Sequence, residues 1–111
     1  MATISNIYID QGSAFSNTIT VTGADGVALN LSGYTAASQM RKSYGSSTAY
    51  TFTSLITSAS EGKVRISFTS SETDIIPGGR YLYDVEVTSS AGSKTRVIEG
   101  IAIVTPQITK V

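Results

Sequence analysis

The chain has no cysteine and no histidine, and only 14% of its residues are charged. Without cysteine there are no disulfides and no thiolate chemistry, and the redox compartment cannot be read. Without histidine the commonest general base and the commonest zinc ligand are both missing. The eight acidic and eight basic residues cancel to a formal net charge of zero, and neither sign gathers into a block. No basic stripe follows a phosphate backbone, so nucleic acid is not an expected partner. No apolar run approaches the ~20 residues of a membrane-spanning helix, so no membrane is expected either. The opening Met1-Ala2-Thr3-Ile4-Ser5-Asn6 lacks the cationic and apolar regions of a signal peptide. The sequence therefore predicts synthesis in a cytoplasm without a leader.

What is present is β-periodicity. A length of 111 residues fits one domain, 1–111, with about 105–111 as a C-terminal tail. Apolar residues recur every second position almost throughout. Ile7 and Ile9 mark a strand near 3–9, and Phe15, Ile19 and Val21 one near 14–22. Gly23-Ala24-Asp25-Gly26 reads as a turn, with Asp-Gly as its signal. Tyr34, Ala36, Ser38 and Met40 alternate through 34–42, and Tyr50, Phe52 and Ile56 mark 50–57. Val64, Ile66 and Phe68 alternate with Lys63, Arg65 and Ser67, the pattern of a half-buried strand. Ser70 to Asp74 could form one helical turn, capped by Ser70 or Ser71. Tyr81, Tyr83, Val85 and Val87 define 80–88, and the last and longest strand runs from Lys94 to Val104, stopped by Pro106. Short strands with turn signals every 8–12 residues or so predict an all-β fold, a seven-stranded antiparallel immunoglobulin-like sandwich.

The remaining candidates for chemistry are carboxylates. Asp84 and Glu86 lie two apart on one strand and leave the same face. A carboxylate pair for acid–base work or a cation site is one reading. A solvated strand face with cross-strand partners is the simpler one. An odd-numbered loop after residue 88 sets Val85 opposite Val97 and Glu86 opposite Arg96, an ordinary ion pair. No run of oxygen ligands suits calcium, and Gly78-Gly79 lacks a phosphate-loop context. No catalytic residue, cofactor or metal ligand is predicted, and the chain is not expected to be an enzyme. Tyr81 and Tyr83, just after the glycine pair, sit where sandwiches place a structural tyrosine corner.

The last strand breaks its alternation. Val97, Ile101 and Ile103 share one face, and Ile98, Ala102 and Val104 the other. A strand apolar on both faces is normally covered on both, and a two-layer sandwich covers one. The sequence reading places Val97, Ile101 and Ile103 in the core and assigns Leu82, Ile98, Ala102 and Val104 to a partner-docking face, with Ile108 in the tail. Either Ile4, Ile7 and Tyr8, or the Ile75–Ile76 pair, folds over that face, or another protein does.

Several elements together resemble a known pattern: Ile9-Asp10-Gln11-Gly12; Leu31-Ser32-Gly33-Tyr34-Thr35 running to Met40-Arg41; Gly62-Lys63-Val64; Pro77-Gly78-Gly79-Arg80-Tyr81-Leu82-Tyr83-Asp84-Val85-Glu86; and Thr95-Arg96-Val97-Ile98-Glu99-Gly100 closing on Val104-Thr105-Pro106. The chain resembles the small Ig-like β-sandwich virion proteins of tailed bacteriophages, and is similar to the N-terminal domain of phage upper-baseplate proteins. The resemblance implies a non-catalytic structural protein, made in the host cytoplasm and placed in the virion in many copies or as a homo-oligomer. Its partners would be tail or baseplate proteins, making it an adaptor, or the major capsid protein, making it a decoration (cement) protein. In the upper-baseplate proteins a fibre-bearing part follows this domain; the sequence reading expects none here. A different class of function, a carbohydrate- or receptor-binding module, would use Tyr44, Tyr50 and the 43–49 loop.

Overall fold

The computed structural model describes residues 3–23 and 26–109. Two sheets face each other. The larger contains β1 (Thr3–Ile4), β2 (Ile7–Asp10), β4 (Thr35–Arg41), β5 (Tyr50–Thr51), β8 (Gly79–Thr88) and β9 (Lys94–Thr105). Its order is β1–β9–β8–β4–β5, with β2 also on β9. The smaller sheet has the order β3–β7–β6, from β3 (Phe15–Thr20), β7 (Lys63–Phe68) and β6 (Thr53–Ser58). One helical turn, α1 (Ser70–Asp74), links β7 to β8.

The alternation places the core. Tyr81, Tyr83, Val85 and Val87 of β8 and Ile7 and Ile9 of β2 turn inward, against Val64, Ile66 and Phe68 of β7. Phe52 joins the layers, stacked on Phe68 at 4.3 Å and edge-on to Tyr83 at 6.2 Å. Ser38, the one polar residue on the inner face of β4, donates to the Asp84 carbonyl at 2.6 Å, so its hydroxyl is not stranded in the core.

The structure departs from the sequence reading in four places. First, the N-terminal strand breaks at Ser5–Asn6, and both halves run parallel to β9, so the sandwich is not wholly antiparallel. Second, the 50–57 strand is two. Tyr50–Thr51 pairs with β4, the chain changes sheets at Phe52, and Thr53–Ser58 pairs with β7. Third, Thr69 caps α1, accepting from the Glu72 N–H at 3.2 Å while Glu72 Oε1 accepts from the Thr69 N–H at 2.7 Å. That reciprocal box satisfies two of the helix's free donors at once, which a cap at Ser70 or Ser71 would not. Fourth, the register of β8 on β9 shifts between Val85 and Glu86: Val85 pairs with Ile98 and Glu86 with Arg96, leaving Val97 as the extra residue of a bulge. Ala24 and Asp25 of the expected turn, Met1 and Ala2, and Lys110 and Val111 of the tail lie outside the described residues; at the start of that turn the Gly23 N–H donates to the Val27 carbonyl at 2.9 Å.

Candidate docking face

The bulge at Val97 decides which way β9 faces. Beyond it the side-chain phase reverses, so Ile98, Ala102 and Val104 enter the core. Ile98 is 6% exposed. Their assignment to an outward docking face is therefore corrected: all three are buried in the hydrophobic core. Ile101 and Ile103 take the outer face instead, half-buried among their neighbours. Leu82 pairs with Ile101 and stays on that outer face, as the sequence reading has it. Ile108 lies in the tail at 97% exposure, away from the sheet.

The N-terminal segment does not fold over this face; it widens it. Tyr8 pairs with Ile103 and Ile4 with Glu99 in parallel register, and both side chains are left to solvent, at 68% and 74% exposure. Between the two half-strands, Ser5 presses onto Gly100. A Cβ there would collide with the Ser5 carbonyl, so only glycine admits the crossing. Asn6 Oδ1 accepts from the Ile101 N–H at 3.1 Å, and the Ser5 N–H donates to the Glu99 carbonyl at 2.9 Å. Ile75 is exposed and Ile76 is core, so that pair does not cover the face either.

Tyr44 stands over the other side of the face. Its loop is held by Arg41, whose Nη1 donates to the Ser46 carbonyl at 2.6 Å and whose Nη2 donates to Gln39 Oε1 at 3.1 Å. Tyr44 is 88% exposed. With Ile4, Leu82 and Ile101 it walls a shallow depression of about 230 Å³, whose polar side is Asp84, Arg96 and Glu99. Tyr50, the other aromatic considered for binding, packs edge-on to Tyr81 at 5.9 Å and serves the core instead.

The charges form a lattice rather than a catalytic pair. Arg96 lies opposite Glu86 in register but forms its ion pairs with Asp84 at 3.4 Å and Glu99 at 3.2 Å, while Glu86 faces Lys94 at 4.0 Å. Burial pushes the Asp84 carboxyl above its usual range, with Glu86 and Glu99 adding to the rise and Arg96 and Arg41 opposing it. Among the described residues, no group of three or more acidic side chains is placed to hold a metal ion. No helix there is long and apolar enough to cross a membrane. The two tyrosines are structural. Tyr81 Oη donates to the Pro77 carbonyl at 2.6 Å, four residues upstream, which is a tyrosine corner. Tyr83 Oη donates to the Ser5 carbonyl at 2.6 Å and ties the N-terminal segment down. An apolar centre with a rim of both charge signs is the anatomy of a protein interface, not of a reaction cleft.

The sequence reading assigns Tyr44 to receptor or carbohydrate binding and Tyr8 to a covering segment, and it places Ile101 and Ile103 on the other face of the last strand from its docking set. Ile101 and Ile103 are visible in the sequence as an apolar pair, but the bulge at Val97 sets which way that pair points.

No family model matches the chain, and no curated protein matches it. Solved structures do. A mutant form of the SrpA adhesin from Streptococcus sanguinis is similar over 96% of this chain and 56% of that one, with 15% identity and a TM-score of 0.51. This chain thus spans little more than half the length of that adhesin structure. A structure from a photo-crosslinking study of multimeric cell-adhesive interactions of VGSC beta subunits is similar over 92% of both chains, with 14% identity and a TM-score of 0.43. The adhesin likeness is one of architecture: the chain is an all-β, two-sheet, immunoglobulin-like sandwich.

Proposed function

We propose that the chain is a non-catalytic docking module that binds another protein through the outer face of its larger sheet. One observation carries this reading. Ile4, Tyr8, Tyr44, Leu82, Ile101 and Ile103 sit on the outward side of a sheet whose inner side is already occupied by the core. Apolar surface gathered on one face and rimmed by charge marks an interaction site.

The finer reading places this module in a tailed-phage particle, as a tail or baseplate adaptor or as a capsid decoration protein. The sequence elements from Leu31-Ser32-Gly33-Tyr34 to Val104-Thr105-Pro106 support it. Separating purified particles into heads and tails and finding the chain by mass spectrometry tests it; absence from both overturns it. The face is tested by Leu82→Asp and Ile101→Asp. Both variants are expected to stay folded by circular dichroism, with at most a small drop in melting temperature, and to fail to enter particles. Incorporation at the wild-type level would remove this face from consideration.

A second reading, a receptor- or carbohydrate-binding module, is favoured by the outward Tyr44 above its depression and by the sandwich fold shared with an adhesin. Tyr44→Ala separates the two. Loss of binding to a glycan or cell surface points to recognition of a receptor, whereas silence of the wild type on a glycan array and on cells leaves docking alone.

A further inference from the structure

The smaller sheet ends at β3, and no described strand pairs with its outer side. The Val21 N–H donates to the Gly62 carbonyl at 2.7 Å, on the β7 side. By the two-residue alternation of an antiparallel ladder, Phe15, Asn17 and Ile19 also bond toward β7. Ser16, Thr18 and Thr20 then turn their N–H and C=O groups outward. Such an edge is normally blunted by a charge, a proline, a bulge or shortness. This one has none of them. Its register against β7 runs without a shift, and residues 11–23 carry no charge and no proline. The other edges differ: β6 is kinked by a register shift between Ile56 and Ser58, β5 and β1 have two residues each, and β2 is a four-residue strand ending on Asp10.

The sandwich is also open along the same flank. A depression of about 420 Å³ lies between Thr20–Gly23 on one side and Thr3 and Thr95–Val97 on the other, with Val21, Leu29 and Val87 in its walls. Beside it, Phe15 and Ile19 are only half-buried.

We propose that β3 is a homotypic docking edge: a second copy of this chain lays its own β3 antiparallel against it about a twofold axis. The occupant is a second copy because the edge is its own complement. With Thr18 opposite Thr18, Ser16 falls opposite Thr20 in both directions, and all six outward backbone groups find partners. The same register sets Phe15 opposite Val21, on the side of the open flank. With no charge on either strand, nothing repels, and a strongly charged strand from another protein would find no counter-charge there.

Sedimentation of the intact chain over a wide concentration range tests this. A concentration-dependent dimer is expected, with the Ser16, Thr18 and Thr20 amides more protected from hydrogen exchange at high concentration. Thr18→Pro deletes one outward N–H, which an edge strand tolerates, and should weaken the dimer at least about tenfold. Thr18→Ala keeps the backbone and the dimer. Leu82→Asp, on the other sheet, leaves the dimer intact, so failure here and failure of the docking face are separately visible. If Thr18→Pro does not fold, the wild-type exchange data decide: edge amides whose rates ignore concentration overturn the proposal. So does a chain that stays monomeric throughout, including one that instead captures an uncharged extended peptide.

Discussion

The Tyr83 hydroxyl lies in the core of one sheet and holds the carbonyl of a residue 78 positions away, Ser5. Tyr83→Phe removes that bond and leaves the carbonyl short of a donor. A loss of about 1 kcal/mol in urea unfolding is expected, with faster hydrogen exchange at Ser5 and Ile101, the two amides beside the crossing. Unchanged exchange there would mean that the hydroxyl anchors nothing. Asp84 makes a prediction about acid. Its carboxyl titrates above the unfolded value because burial, then Glu86, disfavour the charge. The folded chain therefore holds this proton at a pH where the unfolded chain has lost it. The group adds stability as pH falls from neutral through its raised value, and the gain is complete below ~3.9, where the unfolded aspartate protonates. Asp84→Asn cannot gain this way. Relative to wild type, its urea midpoint should drop between pH 7 and pH 3; a constant difference would refute the role of Asp84.

At the scale of elements, β9 shows how far sequence patterns reach. β7 and β8 keep strict alternation, so their inner faces were legible from residue types alone. Tyr81 was legible as a corner because it follows Gly78-Gly79 at the start of a strand. β9 carries isoleucine, valine or alanine in both phases, and a single extra residue at Val97 decides which set is buried. No residue type at 97 announces a bulge, since valine fits a pleat as well as a break. Gly100 was visible only as a gap in a pattern; its reason is the close approach of Ser5. The change of sheets at Phe52 is hidden for the same reason as the bulge: the alternation of Tyr50, Phe52 and Ile56 is that of one strand. The parallel seating of β1 and β2 depends on contacts across the whole chain and has no local signature. These points yield a paired test. Ile98→Asp puts a carboxylate into the core and should cost several kcal/mol or unfold the domain. Ile101→Asp, three positions on, should cost less than ~1 kcal/mol. Circular dichroism melts of the two decide between the phases.

For the whole molecule, alkali is the informative condition. Burial raises the phenols of Tyr81 and Tyr83 above their ordinary value. Each is un-ionised in the fold at a pH where the unfolded chain ionises, so stability should fall as pH rises past ~10. Thermal melts in Tyr83→Phe should show a shallower alkaline loss than wild type, and equal slopes would argue against it. The molecule also divides its labour. The larger sheet offers an apolar face with a charged rim, while the smaller offers the unpaired edge of β3, beside a depression that Arg96 also lines. Surfaces set on different sheets can be occupied together, as the proposed docking face and the proposed β3 pairing both require.

The pairing of β1 and β2 with β9 has a consequence for biosynthesis. Ile7 meets Ala102, 95 residues further along. At 5–20 residues added per second, the opening strand waits on the order of 5–20 s before its neighbour exists. During that interval Ile7 and Ile9 lack the strand whose backbone seats them, and a nascent chain stalled short of the last strand would present them to chaperones.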